Sequence, residues 1–295
     1  MKAYPLYEKR KVIDMDGIWD FTFLGDVDSD SLKPGKIEYN DRICVPSAYD
    51  ALPKYAGQRG LAVYRTYIDI DAGKAGQIYF QSVGMWCRIF IDGEAQMEHQ
   101  PAYTAFTCDI PKSENSCREV VVYVDNRYDL ERCPLQENFF DFYNYGGIFR
   151  SVCAYELPEC FIQYCHITAI NAAQGEIALK VKLNGSIPES IDLSLDVDKK
   201  QTEDFANCAV EDGIVNIKTT IAKAKLWNPE TPNLHLIKVA TDDDAIISRF
   251  GLREIKTDGK KILVNGQSIK LLGFCRHEAH PQFGPVQFES QLQDS

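Results

Sequence analysis

The most chemically suggestive stretch is Phe139-Phe140-Asp141-Phe142-Tyr143-Asn144-Tyr145-Gly146-Gly147-Ile148-Phe149-Arg150, where one carboxylate stands among closely spaced aromatic rings. Pyranose C–H faces pack on such rings while a carboxylate accepts hydrogen bonds from neighbouring hydroxyls, so Asp141 could contact a saccharide. The same composition also serves an aromatic core cluster, with Asp141 as a turn or capping residue. A second cluster, Arg276-His277-Glu278-Ala279-His280-Pro281, holds two of the five histidines. It misses the zinc-protease spacing, because His277 and His280 are three apart rather than four and Pro281 opposes a helix there. The cluster follows Leu271–Cys275, which reads as a buried strand. Function is placed at the carboxyl end of a strand in a β/α barrel, so His277 or Glu278 could face a ligand; the alternative is a polar strand end paired locally. Glu98-His99-Gln100, ahead of Tyr103-Thr104-Ala105-Phe106, reads better as a surface loop packed by its own aromatics than as a catalytic histidine. Neither a G-x-S-x-G elbow nor a glycine-rich nucleotide loop occurs, which removes the main support for serine-hydrolase and nucleotide-binding readings.

The elements that must position these residues are strands. Tyr64–Ile70, Gln77–Val83, Trp86–Ile91 and Glu119–Asp125 are β-branched and aromatic runs closed by turn residues. Asp92-Gly93 and Asn265-Gly266 are the pairs that tolerate positive φ in two-residue hairpins. A boundary falls near Glu156-Leu157-Pro158-Glu159. From Phe161 to about Phe250 six or seven short strands follow, including Ile177–Leu183, Ile191–Val197 and Ile214–Ile221, the size of an immunoglobulin-like sandwich. Lys261–Cys275 reads as a hairpin entering the buried strand, and Gln287–Ser295 as the first turns of a helix, together the opening of a β/α unit.

Composition narrows the class of partner. The 295 residues suit about two domains, and with 45% apolar and 25% charged residues the chain is an ordinary globular one. Lysine and arginine total 32 against 43 acidic residues, a net charge of −11 that leaves no excess cationic field for nucleic acid. No run approaches a membrane span. The first 17 residues carry charge throughout and no signal-length apolar stretch, so export is not expected. The ten cysteines contain no C-x-x-C pair and are expected as reduced thiols in a cytoplasmic protein, with no metal.

Five ordered stretches carry a resemblance: Met15-Asp16-Gly17-Ile18-Trp19-Asp20-Phe21; Met97–Gln100 with Tyr103–Phe106; Asp141–Val152; Leu226-Trp227-Asn228-Pro229-Glu230-Thr231-Pro232-Asn233-Leu234; and Gly273-Phe274-Cys275-Arg276-His277-Glu278. In these the sequence resembles the family 2 glycoside hydrolases, the β-galactosidase and β-glucuronidase group, and looks closest to the β-glucuronidases. The resemblance implies a mainly β fold: a galactose-binding-like jelly roll (1–157), an immunoglobulin-like sandwich (158–250), and a short stub of a (β/α)8 barrel (251–295). It implies Asp141 and His277 as substrate-binding residues on a β-linked sugar, with no cofactor and no metal. The family's two catalytic glutamates lie on later barrel strands, so no catalytic residue is assigned here and the chain is expected to be inactive alone. A stand-alone carbohydrate-binding or scaffold module is the alternative. The protein partners left open are a second copy of the chain, in a homo-oligomer, or a separate fragment bearing the missing barrel.

Overall fold

The computed structural model describes residues 5–129, 132, 143–275, 279–280 and 282–286. Two compact units divide them. One comprises 11–156 with the described residues from Cys275 onward, and the other comprises 5–10 with 157–274. The architecture is mainly β, a jelly-roll sandwich followed by an immunoglobulin-like sandwich.

The jelly roll is built from β1 (Val12–Asp14), β2 (Gly17–Gly25), β3 (Asp41–Val45), β4 (Ser47–Ala48), β5 (Leu61–Asp69), β6 (Ala75–Phe80), β7 (Val83–Gly84), β8 (Trp86–Ile91), β9 (Glu94–His99), β10 (Phe106–Ile110), β11 (Cys117–Asp125), β12 (Gly147–Ile148) and β13 (Val152–Leu157). They form sheets of order β1-β13-β6-β10 and β3-β2-β5-β11-β8-β9, and a short third sheet β4-β12-β7. In β10 the buried Phe106, Cys108 and Ile110 alternate with exposed Thr107 and Asp109, as expected for a strand with one face on the core. The central strand β11 is buried on both faces. Val120, Val122 and Val124 join the main core, whereas Val121 and Tyr123 meet Trp86, Phe90 and Leu61 in a second cluster covered by Leu24, Leu32, Ile37 and Tyr39. Full burial of side chains of this size contributes about 1.5–3 kcal/mol each. Asp92 (φ 51°) and Gly93 (φ 83°) turn β8 into β9 with both residues left-handed, as the pair predicts. Rather than lying in a loop, His99 ends β9, stacked on Phe106 at 3.9 Å with its Nε2 3.0 Å from the Thr104 hydroxyl. Burial lowers its pKa. It is a packing histidine, consistent with the non-catalytic reading.

The second sandwich sets β14 (Cys160–Asn171), β15 (Glu176–Gly185) and β18 (Ile214–Thr220) in one sheet. The other has the order β17 (Gln201–Ala209), β16 (Ser190–Val197), β19 (His235–Ala240), β20 (Ala245–Phe250). Alternation along β15 and β16 delivers Ile177, Leu179, Val181, Leu183, Leu193, Leu195 and Val197 to the core. Residues 5–10 belong to this sandwich. Leu6 bridges Ile247 on β20, and Arg10 is fully buried against Asp244.

Beyond Phe250 an antiparallel meander forms from β21 (Ile255–Asp258), β22 (Lys261–Val264) and β23 (Gln267–Ile269), with Asn265 (φ 50°) and Gly266 (φ 80°) at the expected hairpin turn. The expected buried strand at Leu271–Cys275 is not there. Residues 271–275 have no regular structure, and Leu271, Leu272 and Phe274 are 73%, 83% and 87% exposed. A parallel strand needs a hydrogen-bonded neighbour on at least one edge, and among the described residues none runs beside this segment. The expected helix at Gln287–Ser295 lies outside the described residues.

Candidate functional site

Asp141 and His277, the two residues expected to touch substrate, both lie outside the described residues, but the chain on the carboxyl side of each is described. After Asp141 the backbone enters β12, clamped between β4 and β7. Two glycines make that possible. A Cβ on Gly146 would stand 2.5 Å from the Tyr49 ring, and one on Gly147 2.3 Å from the Ser47 carbonyl oxygen, so no larger residue fits either place without displacing its neighbour.

Gly146 is locked from both sides: its carbonyl accepts from the Tyr49 N–H at 2.9 Å, and its own N–H donates to Asp50 Oδ1 at 3.1 Å. Asp50 sits on the 3₁₀ turn Tyr49–Ala51 and is 4% exposed. Its Oδ2 accepts from Asn126 Nδ2 at 2.9 Å, and Tyr143 also bonds the carboxylate through its hydroxyl. Burial is the dominant influence and pushes the pKa up to about 6, against the opposing pull of the Gly146 amide, Asn126 and Tyr143. Asn126 in turn accepts from the Gly60 N–H at 2.9 Å.

Arg59 completes the brace. Its Nη1 donates to the Asn126 and Asn144 carbonyls at 2.9 and 3.0 Å, its Nη2 to the Tyr128 hydroxyl at 2.9 Å, and its guanidinium lies over the Tyr128 and Tyr143 rings. Arginine suits this place because its planar fork bonds and stacks at once. On the side where the chain leaves β11, Arg127 pairs with Asp125 and Arg132 lies 4.3 Å from the Trp86 ring centroid.

The chain after His277 reaches the same place. Val286 is buried with Phe149, Met85, Ala102 and Ala48, and Gly284 lies so close to Tyr145 that a Cβ would come within 2.8 Å of its ring. The turn at 280–284 is closed by the His280 and Gly284 backbones, which exchange hydrogen bonds of 2.7 and 2.9 Å. Positions 141 and 277, distant in sequence, thus have converging flanks. Nearby, Tyr103 stacks on Phe149 at 5.7 Å and stays 49% exposed, while Tyr143 meets Tyr145 edge-on and is 37% exposed. Half-exposed rings on a braced base are suited to packing against the apolar face of a sugar.

Asp50 itself is not placed for proton transfer to a ligand, being buried with both oxygens engaged. No group of three or more His, Cys, Asp or Glu able to hold a metal occurs among the described residues. Asp50, Asn126 and Arg59 were not singled out by sequence reasoning. They come from three separate segments, and nothing local marks them; only the fold brings them together.

Comparison with known proteins is consistent with this organisation. Residues 12–158 match the glycosyl hydrolases family 2 sugar-binding domain, and residues 160–253 match a second module described as glycosyl hydrolases family 2. A putative β-glucuronidase of Formosa agariphila is 29% identical over 241 residues, 76% of this chain and 28% of the relative. A β-glucuronidase of Paenibacillus borealis is 26% identical, across 91% of this chain and 50% of the relative. Among solved structures, a family 2 β-galacturonidase from Eisenbergiella tayi bound to galacturonate superposes with a TM-score of 0.82 at 26% identity, covering 99% of this chain and 52% of that one. The chain spans about half or less of the length of the proteins it matches.

Proposed function

The chain belongs to glycosyl hydrolase family 2, and from that premise we propose that it supplies the amino-terminal accessory region of a retaining β-glycoside hydrolase of β-glucuronidase or β-galactosidase type, acting in carbohydrate metabolism. Its parts follow the order jelly roll (1–157), immunoglobulin-like sandwich (158–250) and barrel opening (251–295). Asp141 contacts the β-linked sugar from the jelly-roll side and His277 from the barrel side. The observation that carries this reading is the convergence of their flanks, Tyr145 against Gly284 and Phe149 against Val286.

A retaining mechanism needs two carboxylates about 5–5.5 Å apart, one as acid/base and one as nucleophile. Asp50, the buried carboxylate bonded to Gly146, has both oxygens engaged in bracing the chain. The 295-residue polypeptide is therefore expected to line part of a sugar pocket without cleaving the glycosidic bond. No helix of the described structure is long and apolar enough to cross a membrane. A cytoplasmic setting is part of the proposal, supported by the free thiols of the nine described cysteines.

Incubation with chromogenic β-glucuronides and β-galactosides tests this directly. No turnover is expected from the chain alone, and activity is expected on adding a fragment that carries the barrel. Turnover by the isolated chain, unaffected by Asp141→Ala, would overturn it. The exposed faces of Tyr103 and Tyr143 favour one second reading, a stand-alone carbohydrate-binding module. Saturable binding of galactosides or uronic acids, lost in Asp141→Ala, together with no gain of activity on mixing, would select that reading instead.

A further inference from the structure

The second sandwich contains a cleft of about 770 Å³ at the edge where the β16–β17 turn meets residues 221–225 and 233–236. Four lysines line it, Lys199, Lys200, Lys223 and Lys225, all exposed. In a chain with 43 acidic and 32 basic residues this convergence runs against the overall balance of charge. None of the four ammonium groups pairs with a carboxylate among the described residues, although other surface lysines do, such as Lys11 with Glu156 and Lys238 with Glu8.

The one acid lining the cleft, Asp198, is already committed. Its Oδ2 lies 2.8 Å from Nδ1 of the buried His235, and its Oδ1 accepts from the Leu236 N–H at 2.8 Å. Burial pushes Asp198 up, but the Leu236 amide, the His235 ring and Lys200 together hold it below the usual carboxylate range, so it stays an anion facing its own partners. Asp198 and Lys199 both adopt left-handed backbone at φ 57°, which fixes the tight turn carrying Lys199 and Lys200. On the other wall Leu234 is 51% exposed and offers an apolar contact.

We propose that this cleft is a binding site for a short carboxylate-bearing saccharide, a uronic-acid oligomer, whose carboxylates meet the four lysines while one pyranose face covers Leu234. The volume lies within the range of about 300–1,000 Å³ typical of small-ligand clefts. The net charge of −11 does not forbid it, because at physiological ionic strength charges beyond about 8 Å are screened and the local lysines dominate. Each solvent-exposed ion pair is weak, so affinity depends on several acting together and is sensitive to salt. The choice of a saccharide over other anions rests on the proposed role in uronide or galactoside processing; the described residues that line the cleft all belong to the second sandwich.

Calorimetric titration of the 295-residue chain with a galacturonic-acid trimer tests it, with a neutral galactose trimer, a glutamate tripeptide and inorganic phosphate as comparators. Saturable binding of the uronic trimer is expected, weakened at least about fivefold when ionic strength rises from about 10 to about 150 mM. The combined variant Lys199→Gln, Lys200→Gln, Lys223→Gln, Lys225→Gln is expected to lose at least about tenfold in affinity with an unchanged thermal melt. Absence of binding, equal binding of the neutral trimer, equal binding of the peptide or phosphate, or an unaffected quadruple variant would each overturn the proposal. Loss of binding in Asp141→Ala would also overturn it, by moving the sugar to the other site. Failure of barrel complementation with cleft binding intact would count against the accessory-region reading alone.

Discussion

Asp50 in the jelly roll and Asp244 in the second sandwich are 4% and 0% exposed, yet their surroundings differ in kind. Asp244 faces a cation: Arg10 donates to both of its oxygens, from Nε at 3.0 Å and Nη2 at 2.7 Å, and the Ile162 N–H adds a third bond at 2.8 Å. Arg10 also donates to the Ile162 carbonyl and lies 3.8 Å from the Tyr7 ring centroid. Asp50 is instead held by the Gly146 amide, the Asn126 amide and the Tyr143 hydroxyl, all neutral. The paired aspartate fastens residues 5–10 to their sandwich as a fixed clasp. The other, caged by neutral donors, keeps a proton equilibrium near pH 6 beside the stretch that carries the proposed sugar contact. Two carboxylates buried to a similar degree thus serve as a charge-paired joint and as a neutral-donor brace on Gly146, and the identity of their donors tells them apart.

Breaking the clasp gives the largest expected effect. Arg10→Ala leaves Asp244 buried without its counter-ion and is expected to destabilise the second sandwich by about 3–5 kcal/mol in chemical denaturation. Replacing both members together, Arg10→Met with Asp244→Leu, is expected to recover much of that loss because no charge is then stranded. A loss below about 1 kcal/mol in the single variant would mean the pair is not the clasp described.

The pH dependence of the jelly roll comes next. The Asp50 pKa of about 6 lies above the unfolded value of about 3.9, so the native state holds the proton more tightly than the unfolded chain. The stabilisation is complete below about pH 4 and is lost as pH rises through about 6, a change on the order of 2–3 kcal/mol. Denaturation of the parent chain and of Asp50→Asn at a series of pH values should show this slope in the first and not in the second. Identical slopes would remove the distinction between the two aspartates.

The smallest effect sharpens the contrast. Tyr143→Phe takes one donor from the Asp50 carboxylate and is expected to cost about 1 kcal/mol at pH 8, where that carboxylate is charged, and much less at pH 5. A cost independent of pH would assign the hydroxyl to another partner.

Much of the strand framework could be read along the chain. The alternation in β10, β15 and β16 and the two left-handed hairpin pairs are local properties, because side chains alternate faces along any strand and only a few residues accept positive φ. Strand β17 was harder to see. Its Gln-Thr-Glu-Asp-Phe-Ala-Asn sequence lies at a sheet edge, where packing imposes little apolar signal. Leu271–Cys275 misled in the opposite sense, since its apolar run matches a buried strand while nothing among the described residues pairs with it. At the candidate site, the aromatic stretch around Asp141 was visible, but its brace was not.

Sequence alone therefore determined what short-range sterics and face alternation dictate: two β-sandwiches, their hairpins, and the aromatic-acidic stretch with its family likeness. Tertiary structure decided which buried acid met a cation and which met only neutral donors, that Tyr145 and Phe149 meet Gly284 and Val286, and that four lysines share one cleft. Burial, hydrogen-bond partners and local field are sums over neighbours from distant segments, and those sums exist only once the chain has folded.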